Sequence, residues 1–152
     1  MSALIAGEQA PQFTANNQNG TSISLSDFLG KKVILYFYPK DNTPGCTLEA
    51  CDFRDHYQLL TQKGFEVIGV STDDEKSHKK FETKFELPFN LIADTNQEIV
   101  NKYGVWIAKS MYGKSYMGTE RKTFLIDEKG KISHIIQKVD TKNATQQLLD
   151  LL

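Results

Sequence analysis

Little in this sequence invites metal or cofactor chemistry. Cysteine occurs only as Cys46 and Cys51, and histidine only as His56, His78 and His134. A zinc site takes about four ligands, and none of these histidines forms a paired ligand motif with the cysteines. An iron–sulfur cluster needs more thiolates than the chain offers. Haem and flavin motifs are missing too, so neither a metal nor an organic cofactor is expected. Excess charge is also lacking. Lys and Arg number 18 against 19 Asp and Glu, a formal −1, which argues against nucleic acid as the main partner. No apolar run reaches the roughly 18 residues of a membrane span. Met1–Gly7 is too short for a signal peptide and lacks its basic start. A cytoplasmic, reducing location is therefore expected, where structural disulfides are uncommon. No repeat or linker interrupts the 152 residues, so a single domain spanning 1–152 is expected.

What is present is a strand–helix alternation. Phe13–Ala15 and Thr21–Leu25 flank the turn signal Asn19-Gly20 and read as an N-terminal hairpin. Val33–Tyr38 is a continuous apolar run, the mark of a strand covered on both faces. Pro39, which has no N–H to give, ends it. Asp41–Gly45 has loop composition, and a helical pattern then runs from Cys46 to Lys63, with Gly64 as its stop. Phe65–Val70 and Phe89–Ala93 read as strands, and Asp73–Phe85 as a surface helix. A further helix is capped by Asp94 or Thr95 and ends near Gly104. Thr123–Ile126 and Lys131–Ile136 form a second hairpin around Asp127–Gly130, and a helix over Asn143–Leu152 closes the chain. This order predicts a thioredoxin-like α/β fold: a central mixed sheet flanked by helices, with an N-terminal β-hairpin extension.

In such sheets ligands sit beyond the carboxyl ends of the strands. Cys46 falls there, in the opening turn of a helix, where free N–H groups and the dipole favour an anion. A free thiol with a pKa of about 8.5 is only a few per cent ionised at neutral pH, so such a setting matters. Arg121 precedes the strand Thr123–Ile126, from which it can reach the same end of the sheet. Thr43 suits the helix cap, with Pro44 at the first helical position. Its hydroxyl also suits contact with a small oxygen-containing substrate. Pro39 reads as a strand terminator or as a ring shielding the thiolate from water. Cys51 lies ~8.6 Å from Cys46 on a regular helix, beyond the about 7 Å that a disulfide tolerates. If the two pair, the first helical turns must unwind.

The segment Phe37-Tyr38-Pro39-Lys40-Asp41-Asn42-Thr43-Pro44-Gly45-Cys46-Thr47-Leu48-Glu49-Ala50-Cys51 resembles the reactive segment of peroxiredoxins. The bacterioferritin comigratory protein, or peroxiredoxin Q, type is the nearest subgroup. Lys109–Lys114 and Arg121–Asp127 resemble that subgroup as well. The resemblance implies a thiol peroxidase of the atypical 2-Cys kind acting on hydrogen peroxide and organic hydroperoxides. It makes Cys46 the peroxidatic and Cys51 the resolving cysteine. Thr43 and Arg121 then orient the peroxide, Pro39 shields the pocket, and Glu49 orients Arg121. It also implies an intramolecular Cys46–Cys51 disulfide recycled by thioredoxin or a similar dithiol, and either a monomer or a weak homodimer. Two rivals remain on the residues alone. A thiol–disulfide oxidoreductase would use Cys-x-x-Cys, which Thr43 breaks here. A redox sensor would oxidise without turnover.

Overall fold

The computed structural model describes residues 3–152. Its architecture follows from the side-chain alternation of strand β3, Lys32–Phe37, in which Val33 to Phe37 are all buried. Successive strand residues point to opposite faces. Ile34 and Tyr36 therefore enter one core with Phe53, Leu60, Phe81 and Leu148. Val33, Leu35 and Phe37 enter the other, with Phe13, Val100, Tyr103 and Phe124. A continuous apolar run is what a strand needs when both faces are covered.

β3 is the centre of a five-stranded sheet of order β5-β4-β3-β8-β9. β4 (Phe65–Ser71) and β5 (Asn90–Ala93) run parallel to their neighbours. β8 (Lys122–Ile126) and β9 (Ile132–Ile136) are antiparallel. The expected mixed sheet is thus present. The expected N-terminal hairpin is β1 (Thr14–Asn16) with β2 (Ser22–Ser24).

Three expectations need correction. The helix expected over Cys46–Lys63 is two helices, α1 (Pro44–Asp55) and α2 (Tyr57–Gln62), with His56 between them at φ −108° and ψ 10°. The His56 ring nitrogen Nδ1 reaches back to the Asp52 carbonyl at 2.7 Å and closes α1. The helix expected from Asp94 begins later, as α4 (Glu98–Lys102), because Gln97 sits in the left-handed region at φ 58°. Asp94 still caps it: its carboxylate accepts from the N–H groups of Ile99 (3.0 Å) and Val100 (2.8 Å). The terminal helix is short, α5 (Ala144–Leu149). α3 spans Glu75–Phe85, inside its expected range.

One element was not expected: a further antiparallel hairpin, β6 (Trp106–Met111) with β7 (Lys114–Thr119). Its two-residue turn places Tyr112 at φ 53° and Gly113 at φ 76°, the pair of positive angles that a type I′ turn requires. Asn-Gly is the usual signal for that turn, and Tyr-Gly does not announce it.

No helix among the described residues is long and apolar enough to cross a membrane.

Candidate active site

Cys46 stands at the carboxyl end of β3, in the first turn of α1. The Tyr38 N–H still bonds to the Val70 carbonyl at 3.1 Å, and Pro39 then ends the ladder. Thr43 occupies the cap position in extended conformation (φ −96°, ψ 158°) with Pro44 next. Proline suits the first helical position, since its missing N–H would have had no intrahelical partner. The Cys46 side chain is 1% exposed.

Arg121 reaches this thiol because β8 runs antiparallel to β3. Phe37 pairs with Lys122, so the residue before Lys122 emerges where β3 ends. Its Nη2 donates to Cys46 Sγ at 3.2 Å, and its Nη1 donates to Glu49 Oε1 at 2.8 Å. Gly45 makes the room: a Cβ there would lie 3.1 Å from Arg121 Nη2. Burial works against the Arg121 charge, but Cys46 and Glu49 together raise its pKa above the ordinary value.

Glu49 sits one turn after Cys46 and is fully buried. Burial pushes its carboxyl up to about 7, although Arg121 pulls it down. Oε1 is held by Arg121, while Oε2 has no partner among the described residues. Tyr36 Oη is likewise buried without a partner, and burial together with the Glu49 and Cys46 charges raises the Tyr36 phenol well above its ordinary value.

Thr43 does not bond to the sulfur. Its Oγ1 donates to the Lys40 carbonyl at 2.8 Å, which leaves the oxygen's lone pairs as acceptors. Pro39 is half-buried beside the strand end. Cys51 is partly buried on the same continuous helix as Cys46, and both thiols are free. Burial pushes the Cys51 thiol up, against the pull of Arg54. The two cysteines are therefore unlike: one meets a guanidinium, and the other is held toward its protonated form.

Lys109 of β6 was missed. It shares a face of the hairpin with its partner Tyr116, and its Nζ donates to the Thr119 carbonyl at 2.6 Å. Burial lowers the Lys109 ammonium, Arg121 lowers it further, and Cys46 acts in the opposite sense. The unexpected hairpin thus brings a second cation into the field of the thiol. The sequence marked Lys109 only as the first residue of the Lys109–Lys114 resemblance, with no role of its own.

A lone thiol at a helix start, held by a guanidinium and lacking the second thiol of Cys-x-x-Cys, defines a thiol-based redox enzyme on a thioredoxin-like sheet. Comparison with known proteins carries this further. The profile of the AhpC/TSA family matches residues 6–135. A putative peroxiredoxin bcp of Coxiella burnetii is 51% identical over 137 residues, covering 90% of this chain and 91% of that one. Peroxiredoxin Bcp of Bacillus subtilis is 43% identical over 146 residues, covering 96% and 93%. Among solved structures, the bacterioferritin comigratory protein of Xanthomonas campestris superposes with a TM-score of 0.89 at 32% identity, covering 97% of this chain and 96% of that one. That structure concerns the alkyl peroxide reduction activity of the Xanthomonas protein, seen in trapped intermediate and ligand complexes. The chain belongs to the AhpC/TSA family, within its peroxiredoxins, and is a thiol peroxidase of their bacterioferritin comigratory protein type.

Proposed function

We propose that Cys46 is the peroxidatic cysteine and that it reduces hydrogen peroxide and alkyl hydroperoxides. The observation that carries this reading is the 3.2 Å bond from Arg121 Nη2 to Cys46 Sγ in the first turn of α1. The thiolate attacks the terminal peroxide oxygen and the O–O bond breaks. The sulfur becomes a sulfenic acid, and the leaving oxygen takes a proton and departs as water or an alcohol. Negative charge spreads from sulfur over both oxygens in the transition state. Arg121 and the N–H groups at the start of α1 are placed to meet it, as prepositioned donors do in an oxyanion hole. Thr43 Oγ1 accepts the hydrogen of the peroxide hydroxyl, since its own proton is on the Lys40 carbonyl. Glu49 fixes the guanidinium through Nη1 while Nη2 faces the sulfur, and Pro39 shields the thiolate from water.

Full ionisation of a thiol gains at most about 30-fold over an ordinary cysteine, because a few per cent can rise only to all. Any larger acceleration therefore comes from Arg121 and its neighbours.

Cys51 then condenses with the sulfenic acid, forming the Cys46–Cys51 disulfide and releasing water. Both cysteines lie in one α1, so its first turns unwind for this step. A dithiol such as thioredoxin reduces the disulfide by exchange, which suits a cytoplasmic enzyme. Every group named comes from one chain, so a monomer or a weak homodimer suffices.

The test is peroxide consumption with a thioredoxin system at low enzyme concentration. Sustained turnover is expected, whereas a stop after one equivalent would mark a sensor instead. Cys51→Ser should leave the first oxidation unchanged and abolish thioredoxin-coupled turnover. A wild-type steady rate in that variant would remove Cys51 from the resolving role.

A further inference from the structure

The loop that delivers Cys46 to the site is tied down by a buried network away from the sulfur. Asp41 lies between β3 and α1, and its side chain is 4% exposed. Its Oδ1 accepts from Tyr38 Oη at 2.6 Å, and its Oδ2 accepts from Ser77 Oγ at 2.8 Å. His78 Nδ1 meets the same Oδ2 at 2.7 Å. The other ring nitrogen, Nε2, lies 2.9 Å from the Ile92 carbonyl of β5. A carbonyl only accepts, so Nε2 carries a hydrogen, and the Nδ1–Oδ2 contact shares a further proton. The Asp41 N–H donates to Asp73 Oδ2 at 2.9 Å, and Ser71 Oγ donates to that same oxygen at 2.7 Å. Asp41, Asp73 and His78 have the donor types of a cation site. Both nitrogens of His78 are nevertheless engaged, and the groups act as a fastening.

Asn42 follows Asp41 directly and is left-handed at φ 59°. For a residue with a Cβ this conformation costs roughly 1–2 kcal/mol and persists where the flanks hold it. One flank is the Asp41 network, and the other is the Thr43 hydroxyl on Lys40. A cavity of about 160 Å³ borders Asp41, Asn42, Ser77 and Lys84, so the segment has room to relax.

We propose that His78 is a positioning residue for the peroxidase reaction: its bond to Asp41 holds the Cys46 loop in the reactive form and is released when α1 unwinds. The latch opposes disulfide formation and favours attack on peroxide. It thereby sets how long the sulfenic acid stays in the folded site, where a second peroxide can overoxidise it to the sulfinic acid. This inference rests on the Cys46–Cys51 reading above.

Rapid-quench mass spectrometry, resolving sulfenic acid from disulfide, tests it. In His78→Leu the conversion of sulfenic acid to disulfide should quicken about tenfold, the worth of one buried hydrogen bond of roughly 1.4 kcal/mol. The first oxidation should slow, and more peroxide should be needed for overoxidation. Asp41→Asn should behave as wild type, because its amide group in the Oδ2 position can donate to His78 Nδ1 and to a turned Ser77 hydroxyl, while its oxygen still accepts from Tyr38. Ser77→Ala removes one donor from Asp41 and leaves the fold intact, so it should shift the same rates in the same direction by about two- to threefold. It keeps the proposal testable if His78→Leu does not fold. Unchanged resolution rates in the folded variants would overturn the latch. Absence of the disulfide in the wild type would instead overturn the Cys46–Cys51 reading.

Discussion

Asp41 and Glu49 flank the first turn of α1 as two buried carboxylates, and their surroundings differ. Asp41 has three side-chain donors, one on Oδ1 and two on Oδ2. Glu49 has Arg121 on Oε1 and nothing on Oε2. A buried polar network with all its members paired stiffens the structure, whereas a half-paired group is costly to bury. The paired acid fastens the loop. The half-paired acid stands next to the reactive sulfur, where its carboxyl is pushed up to about 7. The contrast separates structure from chemistry over a few residues of chain: Asp41 has what stability asks for, and Glu49 has what a titrating, responsive site asks for.

The hardest blow to this contrast is His78→Leu, which leaves the Asp41 carboxylate buried without its basic partner. Leaving a buried carboxylate oxygen short of one partner costs roughly 1–3 kcal/mol, to be read as a fall in the urea midpoint with an unchanged slope. A loss below about 1 kcal/mol would mean that the Asp41 network holds little. Next comes Arg121→Ala, which strips Glu49 Oε1 and Cys46 of their guanidinium donor. Its peroxide reaction rate should fall about 10²–10³-fold, as when one oxyanion donor is removed. Arg54→Ala should change the rate little, since Arg54 bonds to Asp55 and the Phe85 carbonyl instead. Equal effects of the two would deny Arg121 its role.

The smallest effect sharpens the Glu49 side through pH. Its carboxyl is raised from 4.5 to about 7 in the folded protein. Between those values the native state binds more protons than the unfolded chain, so stability falls as pH rises. The contribution is fully present below about 4.5 and lost as pH passes about 7. It is at most roughly 3.5 kcal/mol at ~1.4 kcal/mol per pKa unit. Glu49→Gln cannot ionise and still accepts from Arg121. The difference between wild-type and variant unfolding free energies should therefore slope across this window. A flat difference would show that Glu49 does not titrate there.

The reactive centre was largely legible in the sequence, because it depends on strand ends. An apolar strand stopped by Pro39, a loop and a helix start put Cys46 beyond the carboxyl end of a central strand. A second strand just after Arg121 put a cation within reach, and β8 running antiparallel to β3 completed the match. A partnership of Glu49 with Arg121 was expected only from the resemblance, since on its own Glu49 reads as a solvated helix charge; in the structure Arg121 donates to it. What stayed hidden needed distant pairing. Asp41 and His78 are 37 positions apart and meet only because β4 and β5 are laid beside β3. The β6–β7 hairpin turned on Tyr112, which adopts a positive φ without being Asn, Asp or Gly. The break in the helix after Cys46 hung on a His56 side chain turning back to Asp52.

The antiparallel register of β8 on β3 bears on the catalytic cycle proposed above. The centre is assembled from a moving part and a fixed one. In the proposed cycle Cys46 travels with α1, whereas Arg121 directly precedes β8, which is laddered to β3. When the helix re-forms after reduction, it closes against a guanidinium that has kept its station. The sheet thus serves as the mould in which the nucleophile is recast at every turnover, and the protein needs to remember only half of its active site.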